Sequence, residues 1–85
     1  MTMYEFKILA DDEQIDVLYR QGVYVGKRLC NSTVMVLYQL DGFYVEISYR
    51  KYRHYISSIR CSEGTAILDP YLDQIQAELV VKKDN

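Results

Sequence analysis

The chain has no tryptophan, a single proline, four glycines, one histidine and two cysteines in 85 residues. So few breakers, beside many aromatics, favour sheet. Two cysteines, Cys30 and Cys61, are too few for the disulfide framework of a small secreted domain. No run approaches the ~20 apolar residues that span a bilayer, so no membrane partner is expected. Residues 1–10 carry neither a basic stretch nor the apolar core of a secretory leader, which points to a cytoplasmic chain with reduced thiols. Metal chemistry has almost no ligands to draw on. Cys30, Cys61 and His54 lack any paired spacing, and three soft ligands fall short of a closed zinc site. Neither a metal nor a cofactor is expected.

What is present is aromatic. There are nine tyrosines and two phenylalanines, within 49% apolar and 26% charged residues. That is the balance of a single folded domain, residues 1–85, with one modest core that a dimer partner would help to bury. The net charge of −2 argues against a general polyanion binder.

The strongest local signal is Leu37–Tyr49, LYQLDGFYVEISY. Two alternating runs flank Asp41-Gly42, a pair suited to the positive φ angles of a tight primed turn. A two-residue turn sets Leu40 opposite Phe43, Tyr38 opposite Val45, Val36 opposite Ile47 and Val34 opposite Tyr49. That face is apolar throughout. The other face sets Gln39 against Tyr44, Leu37 against Glu46, Met35 against Ser48 and Thr33 against Arg50. A slip of one residue would exchange the two sets.

Around the hairpin the chain reads as an α+β domain, α-β-β-β-β-α, with a four-stranded antiparallel meander and both short helices packed on its apolar face. The first helix starts at Asp11, with Asp11 and Gln14 as a capping pair, and ends at Gly22 as a left-handed C′ residue. Strands follow at Val23–Cys30, Thr33–Leu40, Phe43–Lys51 and Tyr55–Cys61. Carried through a turn at Asn31-Ser32, the parity puts Val23, Val25, Lys27 and Leu29 on the covered face. In the fourth strand Ile56 and Ile59 have opposite parity, which a bulge would reconcile at a position the sequence alone does not fix. Asp69 and Pro70 then open a second helix as cap and first residue, with Leu72, Ile75 and Leu79 at helical spacing. Tyr4, Phe6 and Ile8 alternate with polar residues, the pattern of a short entry strand or packed arm.

Two segments are candidate sites. The uncovered face gathers Tyr24, Arg28, Met35, Leu37, Tyr44, Glu46 and Arg50, a mixed patch of the kind that forms interfaces. Its plainer reading is an open sheet face with tolerated tyrosines. The segment YRKYRHY brings together Arg50, Lys51, Tyr52, Arg53 and Tyr55, cations and rings in the composition of a single-strand nucleic-acid contact. Its plainer reading, a solvated hairpin tip, fits an acidic chain better. His54 stands there without an orienting partner or nucleophile, so catalysis is not expected.

The strings YQLDGFYVEISY and Leu68-Asp69-Pro70-Tyr71-Leu72 resemble those of short bacterial proteins that carry a DGFYVE-type hairpin and have no assigned activity. The resemblance implies the same fold in a bacterial cytoplasm and transfers no site residue. The expectation is a small non-enzymatic interaction module. It would bind itself as a homodimer, or another protein, through the tyrosine-rich face or an edge, with nucleic acid as the alternative partner.

Overall fold

A computed structural model describes residues 1–50 and 55–74. The elements are α1 (Met3–Lys7), α2 (Asp11–Gln21), β1 (Val23–Cys30), β2 (Thr33–Leu40), β3 (Phe43–Arg50), β4 (Ile56–Ser62) and a 3-10 helix (Ala66–Tyr71). The strands form one antiparallel sheet in the order β1-β2-β3-β4. The expected α+β meander is therefore the observed one.

The β2–β3 hairpin has the expected register, from Leu40 opposite Phe43 to Thr33 opposite Arg50. Its turn differs in one respect. Asp41 takes the positive φ of 51°, and Gly42 does not have a positive φ. Asn31 takes the same role between β1 and β2, at φ 56°. Asp and Asn tolerate this region better than other side chains because they are short and polar.

One face of the sheet, here the helix face, packs Leu40, Phe43, Val45 and Ile47 against Phe6 of α1 and Leu18 of α2. Helix α1 lies by β4 and α2 over β2. Residues 3–7 are helical where alternation suggested a strand. Thr2 and Glu5 form a reciprocal capping box, with Thr2 Oγ1 accepting from the Glu5 N–H at 3.1 Å and Glu5 Oε1 from the Thr2 N–H at 2.8 Å. That local bonding outweighs three alternating side chains. Only Phe6 of the three is buried.

The cap of α2 also differs from expectation. Asp11 is the first helical residue, and Ala10 precedes it without a side-chain acceptor. Glu13 Oε1 accepts from the Ala10 N–H instead, at 3.2 Å. Gln14 is buried and donates to the Phe6 carbonyl at 2.9 Å, tying α2 to α1. Gly22 ends α2 in extended backbone, φ −74° and ψ 149°, not in the left-handed region. Glycine is required there for space, since a Cβ would lie 2.6 Å from the Leu18 carbonyl oxygen.

Two bulges shape the faces, an unexpected one in β1 and the expected one in β4. In β1 the register shifts between Tyr24 and Gly26, so Val25 is the extra residue. Tyr24 then pairs with Tyr38 on the helix face, while Val25 turns to the opposite, far face. The second bulge lies in β4, where Tyr49 pairs with Ile56 and Ser48 with Ser58. Ser57 is the extra residue, and its hydroxyl donates to the Ser48 carbonyl at 3.1 Å. This bulge places both Ile56 and Ile59 against the helix-face core.

The last element corrects the expected packing on one face. Asp69 and Pro70 lie inside a 3-10 helix that starts at Ala66, and it docks on the far face. Ile67 and Tyr71 form a second core there with Leu37, joined by Val25, Tyr44 and Leu68. The far face carries enough apolar surface to hold this segment once Val25 joins it. Residues 72–74 continue as helix. Ile75 and Leu79 lie outside the described residues.

If α1 is a helix anchored by one side chain, Phe6→Ala costs about 3 kcal/mol in urea unfolding. Tyr4→Ala, at 80% exposed, stays within about 0.5 kcal/mol. Equal losses at both positions would indicate the alternating arm instead.

Candidate functional site

Glu46 is the only buried acidic side chain among the described residues, at 3% exposed. It sits in the middle of β3 on the far face, between Leu37 on β2 and Arg60 on β4. Desolvating a carboxylate is costly unless cations and donors meet it. Three groups do. Arg60 Nη2 reaches Glu46 Oε1 at 2.9 Å, Arg28 Nη2 reaches Oε2 at 3.5 Å, and the Tyr71 hydroxyl donates to Oε2 at 2.6 Å.

The cluster draws on β1, β3, β4 and the 3-10 helix. Arg28 lies over the Tyr71 ring, 5.7 Å from its centroid, while its Nε is buried without a partner. Burial works against the charged guanidinium, yet Tyr71 and Glu46 outweigh it and hold the Arg28 pKa above its usual value. For Tyr71, burial and then the Glu46 bond push the phenol up to about 12, with Arg28 opposing.

Gly26 makes room for this contact. A Cβ there would lie 2.9 Å from Tyr71 Cδ1 and 2.8 Å from Gln74 Oε1. Gln74 uses that space to bond the outer edge of β1. Its Oε1 accepts from the Lys27 N–H at 3.1 Å and its Nε2 donates to the Lys27 carbonyl at 2.5 Å. These two bonds occupy edge groups that would otherwise be open to another strand.

The interface residues expected from the sequence thus separate. Arg28, Leu37, Tyr44 and Glu46 come together, but beneath or beside the 3-10 helix. Leu37 is fully buried. Met35 is half-buried on the same face, and Arg50 is exposed at the end of β3. Tyr24 does not belong with them, because the β1 bulge turns it to the helix face. Of the alternative basic segment, Arg50 and Tyr55 are exposed, whereas Lys51, Tyr52, Arg53 and His54 lie outside the described residues.

Among the described residues, a different surface is open. Near β1 the helix face exposes Tyr19 at 61%, Tyr24 at 57% and Leu29 at 61%. Tyr24 meets Tyr38 edge to face at 6.3 Å, and the Tyr19 and Tyr49 hydroxyls are 3.2 Å apart. Burial, then neighbouring tyrosines, raises the pKa of both Tyr38 and Tyr49. Val34 and Val36 are half-buried between them.

Tyr71, Arg60 and Gln74, which build the far-face cluster, and Tyr19 and Leu29, which are exposed on the helix face, were not singled out from the sequence. One signal pointed to Arg60, but it depends on a bulge position that the sequence does not locate. A lone acid at mid-strand needs a cation, and placing the β4 bulge at Ser57 sets Arg60 opposite Glu46. Both cysteines are free, Cys30 exposed and Cys61 half-buried, with burial raising the Cys61 thiol pKa. Among the described residues, no group of three or more His, Cys, Asp and Glu side chains is placed to hold a metal ion. No helix among them is long and apolar enough to cross a membrane.

Compared with family models, curated proteins and solved structures, the chain has no match. The functional reading therefore rests on its own geometry.

Removing the Glu46 charge leaves Arg28 facing an uncompensated pocket, so Glu46→Gln lowers stability by about 3 kcal/mol, and Tyr71→Phe by about 1–2 kcal/mol. The raised Tyr71 pKa adds a pH signature. Its contribution to stability is whole below pH ~10, the unfolded phenol's pKa, and is lost as pH rises toward the folded value of about 12. Ultraviolet titration of the folded protein should show a late-ionising tyrosine that Tyr71→Phe removes. Loss in that variant of a step at the ordinary phenol pKa of ~10, with every late step intact, would contradict the buried hydrogen bond.

Proposed function

We propose that the chain is a small non-enzymatic interaction module that self-associates through the open corner of its helix face. The carrying observation is an aromatic corner in which Tyr24 packs edge to face on Tyr38 and the Tyr19 hydroxyl meets that of Tyr49, with Tyr19 and Tyr24 more than half exposed and Leu29 exposed on the same face beyond Lys27. Scattered exposed apolar side chains are ordinary, whereas a contiguous patch is the mark of an interface.

The chemistry favours a second copy as the occupant. A two-fold contact brings the same patch against itself. Phenol hydroxyls both donate and accept, so a tyrosine patch is complementary to its own image, unlike a patch of one charge. A face contact is favoured over β1 edge pairing, because Gln74 fills the edge groups of Lys27 and Lys27 adds a charge there. A typical stable contact covers roughly 800 Å² per partner. The chain exposes 6055 Å² in all, so the corner would form the centre of a contact reaching along α2 and β1. The main polar cluster supports a structural role over a catalytic one, since Glu46 is already engaged by three partners of its own chain. The same reading takes the setting to be cytoplasmic.

Light scattering over a concentration series should report a dimer. Tyr24→Glu combined with Leu29→Glu should weaken it about tenfold or more, through two like charges at the centre of the contact, with the melting temperature of the monomer kept. A wild-type chain that stays monomeric at its highest soluble concentration would overturn the reading.

A further inference from the structure

The two edges of the sheet are not equivalent. Gln74 closes the β1 edge at Lys27. Among the described residues no strand pairs with the outer edge of β4, Ile56–Ser62. Hydrogen bonding alternates along antiparallel strands. With Leu40 and Phe43 as the pair closing the turn, β3 turns the backbone groups of Tyr44, Glu46, Ser48 and Arg50 toward β4. The Arg50 N–H indeed donates to the Tyr55 carbonyl at 3.1 Å. Ser58, Arg60 and Ser62 face back toward β3, so the N–H and C=O of Ile59 and Cys61 point outward.

Side chains along this edge alternate in character. Ile59 and Cys61 are half-buried on the helix face. Arg60 lies on the far face, 65% exposed, with a single contact from Nη2 to Glu46. Five N–H donors on a guanidinium leave several free for another acceptor. Beside Arg60 is an open depression of about 390 Å³, lined by Arg60, Cys61, Ser62, Ala66 and Ile67. It offers room for a side chain next to the cation.

We propose that the β4 edge binds an extended acidic peptide by strand addition, with a carboxylate of the peptide on Arg60. Backbone bonds to Ile59 and Cys61 supply the docking, and side-chain pockets supply the selectivity. The residue opposite Arg60 falls in a non-hydrogen-bonded pair, where cross-strand side chains approach most closely. An acid there meets the guanidinium, and its two neighbours meet Ile59 and Cys61 on the helix face. The favoured sequence is apolar–acidic–apolar. A second copy of β4 fits less well, since pairing centred on Arg60 would set the two arginines opposite each other. This surface is separate from the tyrosine corner and stands independently of it.

The test is fluorescence anisotropy with a labelled peptide, acetyl-Thr-Val-Glu-Val-Thr-amide, added to the intact protein. Binding should weaken about threefold when the peptide Glu is replaced by Gln, and about tenfold when it is replaced by Lys. N-methylation of the two Val residues should abolish binding, and N-methylation of the Glu should leave it unchanged. On the protein side, Arg60→Gln should erase the preference for Glu over Lys. Should that variant unfold, the peptide series decides alone. Absence of binding, equal affinity for the Glu and Lys peptides, or indifference to the position of N-methylation would each overturn the proposal. So would a dimer of the free protein that Ile59→Lys dissolves, which would assign the edge to a second copy.

Discussion

Leu40 faces Phe43 across a two-residue turn, and the register that follows governs both cores and the one buried charge. On the helix face it aligns Leu40, Phe43, Val45 and Ile47 under Phe6 and Leu18. On the far face it sets Glu46 between Leu37 and Arg60. A slip of one residue would press Glu46 against Leu18 and leave the arginines without their carboxylate. Hydrophobic burial and electrostatics therefore select the same register, which is how a sequence comes to specify one structure.

The buried carboxylate is better understood as a positional device than as a source of net stability. Desolvation of such a group offsets much of its attraction to cations, while loss of a partner leaves the full penalty. The C-terminal segment meets that condition by placing the Tyr71 hydroxyl 2.6 Å from Glu46. Gly26 admits the ring, and Gln74 fastens the next turn to Lys27. The far face is thus occupied by the chain itself. Among the described residues the same economy leaves the helix face uncovered near β1, because one helix lies by β4 and the other over β2. The proposed interface follows from that geometry.

The hairpin and the meander were legible because a period of two over many residues admits one register, and Asp41-Gly42 pins it. Helix α2 was legible from Ile15, Leu18 and Gly22, although its cap was read one residue late. The misplaced features share a cause. Three alternating residues, Tyr4, Phe6 and Ile8, fit a strand or one helical turn, and the bond between Thr2 and Glu5 decides. In β4 the clash between Ile56 and Ile59 announced a bulge without locating it. In β1 nothing announced one, since Val23, Tyr24 and Val25 suit either face. The destination of the C-terminal segment was equally open, because Val25, Leu37 and Tyr44 make the far face a second apolar platform only after the bulge. The face expected to carry the candidate interface therefore loses Tyr24 to the helix face and has Leu37 and Glu46 buried.

The central claim is that the far face is closed by its own chain and the helix-face corner is the surface free to dock. Backbone amide NMR shifts recorded over a dilution series test it most directly. The account predicts concentration-dependent shifts at Tyr19, Tyr24 and Leu29, with Leu37, Glu46 and Tyr71 unmoved. Shifts confined to Met35, Leu37, Tyr44 and Glu46, with the corner silent, would contradict it.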